Sequence, residues 1–179
     1  MLNEKVIVAG FGGQGVMLMG QLLSFAATEK DLNTLWFPSY GPETRGGTAN
    51  CSVTISENYV NSPVISKPDS IMIMNKPSLS KFMPKLKEDG ICLVNSSLVK
   101  DAEYRKDIRV YEVDANNIAL ELGNLKVANM VMLGAYLALT NVFTEDEVLD
   151  ILKKKFTGSK ANLIEINKQA LEAGRKAVV

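Results

Sequence analysis

Glycines at positions 10, 12 and 15 of the run GFGGQGV directly follow an apolar segment, KVIVA (5–9). This spacing suits a strand-to-helix turn that brings backbone amides against a phosphate. Gly10 permits the tight reversal, Gly12 lets backbone approach a ligand, and Gly15 lets the helix pack closely on the strand. The helix N-terminus adds unpaired N–H groups and a partial positive charge, both of which favour an anion. Gly10, Gly12 and Gly15 are therefore the first candidates, and the Gln14 amide can hydrogen-bond across the loop. A nicotinamide dinucleotide is disfavoured, because the second strand should end on a carboxylate for the ribose hydroxyls. Here it ends LWFP (35–38), and no arginine takes that place until Arg45, inside the next loop. A phosphate or carboxylate contact, a partner-docking surface and a purely structural turn all remain open.

The second candidate stretch is WFPSYGPETRGGTANCSV (36–53). Pro38 and Pro42 stiffen it, while Gly41, Gly46 and Gly47 permit positive φ or the close approach of another chain. Tyr40 and Arg45 are residue types that anchor interfaces. The planar fork of Arg45 can hold a phosphate or a carboxylate bidentately. Other chemistries drop out. With no histidine and only two cysteines, Cys51 and Cys92, the chain supplies neither the usual zinc set nor the four thiolates of an iron–sulfur cluster. Ser-His and Cys-His nucleophile pairs are excluded as well. Both thiols are expected to pack as small hydrophobes in a reducing cytoplasm.

The elements that must position these loops come from hydrophobic periodicity. The 179 residues suit one buried core, and basic and acidic side chains balance at 20 each, so no global field favours nucleic acid or a membrane. The uncharged stretch 6–28 reads as strand, turn and helix. The uncharged stretch 127–144 has too short an apolar centre to cross a bilayer and reads as a buried helix. Strands are expected at 5–9, 33–37 (ended by Pro38), 48–56, 70–74, 91–95 and 108–114. Residues 57–69, with two prolines, are expected to form a hairpin or an irregular loop. Helices are expected at 16–29, 77–86, 115–122, 126–141, 145–156 and 160–174, with Thr144 and Glu147 forming a capping box. Between 37 and 70 there is no helical pattern, so a strand of opposite direction should enter the sheet. The expectation is one α/β domain over 1–179: three-layer, Rossmann-like and mostly parallel, with at least one antiparallel strand.

In order, GFGGQGV, PSYGPETRGGTANCSV, SKPDSIMIMN and LGNLKVANMVMLGAYLAL resemble the gamma subunit of 2-oxoacid:ferredoxin oxidoreductases, over nearly the whole chain. The likeness is greater to the separate gamma chains of enzymes acting on 2-oxoglutarate or branched-chain 2-oxoacids than to the fused pyruvate enzymes. The resemblance implies an oxidative decarboxylation in which 2-oxoacid, coenzyme A and oxidised ferredoxin give acyl-CoA, carbon dioxide and reduced ferredoxin. It places thiamine diphosphate, magnesium and the 4Fe–4S clusters on alpha, beta and ferredoxin-like delta partners. It gives this chain no catalytic or metal-ligating residue, and implies that the isolated chain is inactive. Its matching positions are Gly10, Gly12, Gly13, Gln14 and Gly15, expected as anion or coenzyme A contacts. Tyr40, Gly41, Pro42, Glu43, Arg45, Gly46, Gly47, Thr48 and Asn50 also match, and are expected as coenzyme A or partner contacts. Two alternatives stand beside it: a stand-alone nucleotide-binding enzyme, and a small-ligand-binding module using the 10–15 loop. Self-association of the isolated chain is left open.

Overall fold

Alternation along β1 (Asn3–Phe11) sends Val6 and Val8 to one side of the sheet and Ile7 and Ala9 to the other. Both pairs are buried, as expected for a central strand covered on both faces. The structure, a computed structural model, describes residues 1–41 and 47–179. Its sheet has six strands in the order β2 (Asn33–Tyr40), β3 (Thr48–Ser56), β1, β4 (Ser70–Ile73), β5 (Ile91–Asn95) and β6 (Arg109–Val113). The β1, β4, β5 and β6 strands pair in parallel. Among the described strands β3 alone points opposite to the rest, pairing antiparallel with both β1 and β2. This is the reversed strand that the helix-free stretch between 37 and 70 implies.

Val6 and Val8 face the larger helical layer, formed by α1 (Val16–Glu29), α3 (Ala115–Glu121), α4 (Ala128–Thr140), α5 (Glu145–Lys155) and α6 (Ile164–Val178). Ile7 and Ala9 face a smaller cluster with Leu79 and Phe82 of α2 (Lys76–Phe82). The expected three-layer α/β arrangement is present. The uncharged α4 is buried nearly all round. It touches α6 through Gly134 and Gly174, where an added Cβ would overlap backbone of the other helix. The capping box of α5 forms both its bonds, Glu147 N–H to Thr144 Oγ1 at 3.1 Å and Thr144 N–H to Glu147 Oε2 at 2.9 Å.

Two boundaries differ most from expectation. Pro38 does not end its strand, since β2 continues to Tyr40. As an edge strand β2 has one side without a ladder, where a residue lacking an N–H is tolerated. The last helix starts at Ile164, after the polar run Gly158–Leu163 folds as 3-10 turns. Only from there do buried residues fall at helical spacing (Asn167, Ala170, Leu171, Gly174). The 57–69 connection is irregular and contains no strand. Cys51 and Cys92 are buried free thiols, and burial pushes each up to about 12, consistent with service as packing.

Candidate functional site

The chain leaves β1 through α1 toward β2, and leaves β4 through α2 toward β5. These opposite exits open a crevice at the C-terminal ends of β1 and β4, the switch point where open α/β sheets receive ligands. The glycine loop stands over it. A cleft of about 480 Å³ lies there, walled by Gly13, Gln14, Met74, Asn116, Lys126 and Asn129 among others.

Each glycine of the loop does something different. Gly12 and Gly13 are exposed, and Gly13 has φ of +90° with open space where a side chain would sit. At Gly10 a Cβ would overlap the Gln14 amide oxygen and lie 2.8 Å from Met74 Cβ. Gly15, with φ of +74°, precedes the first turn of α1, and its missing Cβ leaves room for the Asn129 side chain of α4. This corrects the expected role of the third glycine: close approach occurs, but to a carboxamide of another helix, not to the preceding strand.

Gln14 does bond across the loop. Its Oε1 accepts from Phe11 N–H at 2.6 Å, and its Nε2 donates to Met74 O at 3.4 Å. Its side chain is thereby engaged within the protein. Among the described residues no acceptor meets the N–H groups of Gly13 and Gly15, and α1 has neither a side-chain cap nor an acidic residue in its first turn. These donors and the helix dipole remain available to an anion.

Among the described residues, the second loop meets the first through Gly12 N–H, which donates to Gly47 O at 3.0 Å. Tyr40 ends β2 and is 71% exposed, and Gly41 N–H donates to Thr48 O at 2.7 Å, prolonging the β2–β3 ladder. Thr48 pairs with Phe11 and Asn50 with Ala9, so both lie at the same sheet edge as the glycine loop. None of these β2–β3 residues lines the cleft. Pro42, Glu43, Arg45 and Gly46 lie outside the described residues.

Sequence reading missed the far wall. Asn116, Asn124, Lys126 and Asn129 come from the start of α3 and the approach to α4. The available signal was the concentration of carboxamides at element starts, such as Asn124, whose side chain accepts from Lys126 N–H at 3.0 Å. Behind this wall Asn95 Nδ2 donates to Asn116 Oδ1 at 2.9 Å. Ser97 and Asn117 donate to Asp114, holding that carboxyl below its ordinary range. Among the described residues, Lys126 is the one ionisable side chain lining the cleft. Such a site can bind a group that is anionic at one end and hydrogen-bonding at the other. Among the described residues no three carboxylates or thiols converge as a metal-binding set, and no helix is long and apolar enough to cross a membrane.

The fold is a Rossmann-like sheet with an open glycine turn at its switch point. Residues 5–177 match the pyruvate ferredoxin/flavodoxin oxidoreductase family, and the chain belongs to it. It is 41% identical over 171 residues to ketoisovalerate oxidoreductase subunit VorA of Methanothermobacter marburgensis, covering 95% of this chain and 35% of that one. It thus spans about a third of the length of the curated VorA relatives it matches. With 2-oxoglutarate synthase subunit KorC of Methanothermobacter thermautotrophicus it shares 34% identity over 99% of this chain and 96% of that one. The gamma subunit of a keto/oxoacid ferredoxin oxidoreductase from Geobacter sulfurreducens superposes with a TM-score of 0.83, at 28% identity and 98% coverage of both chains. A 2-oxoglutarate:ferredoxin oxidoreductase from Magnetococcus marinus, solved with 2-oxoglutarate, coenzyme A and succinyl-CoA, shares the fold. Its TM-score is 0.91 at 22% identity, over 99% of this chain and 31% of that one.

Proposed function

We propose that this chain is the gamma subunit of a cytoplasmic, multi-subunit 2-oxoacid:ferredoxin oxidoreductase. The observation that carries the reading is its end-to-end likeness to separate subunits of such enzymes, at 34% identity to the KorC chain. In the reaction, the 2-oxoacid loses carbon dioxide, its acyl group joins the sulfur of coenzyme A, and the released electrons reduce ferredoxin. Thiamine diphosphate with magnesium, and 4Fe–4S clusters, supply the carbanion and electron chemistry from the alpha, beta and delta partners. The donor set of this chain suits that division, since its two thiols are buried and it has no histidine.

The contribution of this chain is binding. Gly13 and Gln14, just before the positive end of α1, line the cleft together with Lys126. An anion there is favoured by oriented N–H donors and by charge. The phosphates of coenzyme A are the guest the proposal assigns, with the pantetheine arm leading toward the catalytic partner. The coenzyme A present in the Magnetococcus marinus enzyme, which has the same fold, supports this assignment. A stand-alone dinucleotide enzyme is less well supported, because β2 ends Phe37, Pro38, Ser39, Tyr40 with no carboxylate for a ribose.

Reconstitution tests the proposal. Alpha, beta and delta partners are assembled with and without this chain, and ferredoxin reduction is followed with pyruvate, 2-oxoglutarate and ketoisovalerate in turn. The expected result is turnover, dependent on coenzyme A, only when the chain is present. Full turnover without it, or its failure to join the partners, would overturn the assignment.

A further inference from the structure

Two carboxamides, one local and one from across the fold, occupy the spaces that Gly10 and Gly15 leave empty. The Gln14 oxygen occupies the Cβ position of Gly10, and the Asn129 amide that of Gly15. Neither amide is free to turn. Gln14 Oε1 is fixed by Phe11 N–H at 2.6 Å, which leaves Nε2 facing Met74 O across the β1–β4 crevice. Asn129 Oδ1 is fixed by Met130 N–H at 2.9 Å, which leaves Nδ2 facing Gly15 O at 3.4 Å. Asn129 is 6% exposed, so its orientation is held by packing as well. The loop is thereby clamped at both ends, to Met74 just after β4 by Gln14 and to α4 by Asn129, while Gly12 and Gly13 stay exposed.

From this geometry we propose that Gln14 and Asn129 are positioning residues: they do not themselves hold the ligand, but fix the loop amides in the orientation that receives the phosphates of coenzyme A. The inference rests on the coenzyme A reading above and goes beyond it by naming what preorganises the loop. Glycine-rich backbone is costly to order, so a turn built to bind must be ordered before the ligand arrives. Side-chain amides suit the task because each offers an acceptor and a donor to the two backbone groups it must tie, without adding a charge that would repel or trap an anion.

The test uses the assembled complex and two acyl acceptors, coenzyme A and pantetheine, which lacks the phosphates. Gln14→Met keeps side-chain length and removes both bonds. It should raise the KM for coenzyme A about tenfold, the effect of losing roughly one hydrogen bond's worth of orientation. kcat, the KM for 2-oxoacid and the KM for pantetheine should stay within about twofold, since the chemistry lies elsewhere. Asn129→Asp keeps the acceptor for Met130 N–H and loses the donor to Gly15 O, and should act in the same direction. Gln14→Glu adds a pH signature: its KM for coenzyme A should fall as acid protonates the new carboxyl and restores a donor toward Met74 O, with no such dependence in Gln14→Met. If wild type uses pantetheine as well as coenzyme A, the coenzyme A reading itself fails. If wild type discriminates between them but Gln14→Met and Asn129→Asp leave the coenzyme A KM unchanged, the positioning role fails alone.

Discussion

At the edge of the sheet opposite the cleft, Glu4 accepts hydrogen bonds from the hydroxyls of Ser70 and Tyr136 on one carboxylate oxygen. Among the described residues no lysine or arginine pairs with it. Burial outweighs those two donors and raises its carboxyl above the ordinary value of 4.5; nearby Asp69 pushes it further up, and Lys87 pulls it down. Tyr136 is raised well above its usual range, by burial and then by the Glu4 charge. A carboxyl whose folded value lies above its unfolded value binds more protons when folded. Its penalty is therefore absent below about 4.5 and grows as pH rises through the raised value. Glu4→Gln should flatten that part of the stability profile and leave the variant more stable than wild type on the alkaline side. Denaturant titrations across this range check it, and a wild-type-minus-variant difference constant with pH would remove Glu4 as the cause. Gly15→Val is the second expectation at this scale. A branched residue at φ of +74°, overlapping the Asn129 side chain, should cost at least about 2 kcal/mol in thermal or chemical unfolding. The spacing of the glycines announced that Gly15 must stay small; the neighbour responsible lies 114 residues further along the chain and left no local mark.

Helix and strand formation is mostly a local matter here, and so most elements were legible. Residues 16–29, 48–56 and 91–95 fold over the ranges their patterns indicate: the helix buries residues at helical spacing, the start of 48–56 alternates, and 91–95 is the continuous apolar run of a fully buried strand. Where reading failed, tertiary context decides. Pro38 stays in β2 because that strand is an edge, a fact set by sheet order and not by its own neighbours. The closest helix contact was equally hidden. An added Cβ at Gly174 would lie 2.8 Å from the carbonyl carbon of Val131 and 2.9 Å from Ala135 N, and it would overlap the Val131 carbonyl oxygen. In an isolated helix, alanine would be the better residue by about 1 kcal/mol. Gly174→Ala should nonetheless destabilise the protein, by roughly 2 kcal/mol or more, since backbone cannot yield as a side-chain tip can. Equal or higher stability in the variant would mean that α4 and α6 separate without cost, and the close packing would then have no energetic weight.

Insertion of β3 between β1 and β2 has a consequence for the whole molecule. It carries Gly47 and Thr48 to the same sheet edge as the first glycine loop, joined by the Gly12 to Gly47 bond. Two stretches separated along the chain thus meet at one rim, as no periodicity could reveal. The carboxamide wall from Asn116 to Asn129 was not legible, because asparagine at a helix start ordinarily reads as a cap. Arg45 belongs to the second stretch, and its role is argued from chemistry alone. A guanidinium that meets a phosphate or a partner carboxylate makes two parallel charge-assisted bonds, each worth about 1.5–3 kcal/mol. Arg45→Ala should therefore lower either assembly or the apparent affinity for coenzyme A by tenfold or more, with the thermal stability of the isolated chain unchanged. Arg45→Lys keeps the charge and loses the fork, so it should recover only part of the loss. Size-exclusion analysis of the mixed subunits reads assembly, and ferredoxin reduction at graded coenzyme A reads affinity. If both are as in wild type, Arg45 contacts neither coenzyme A nor a partner, and it leaves the list of candidate contacts.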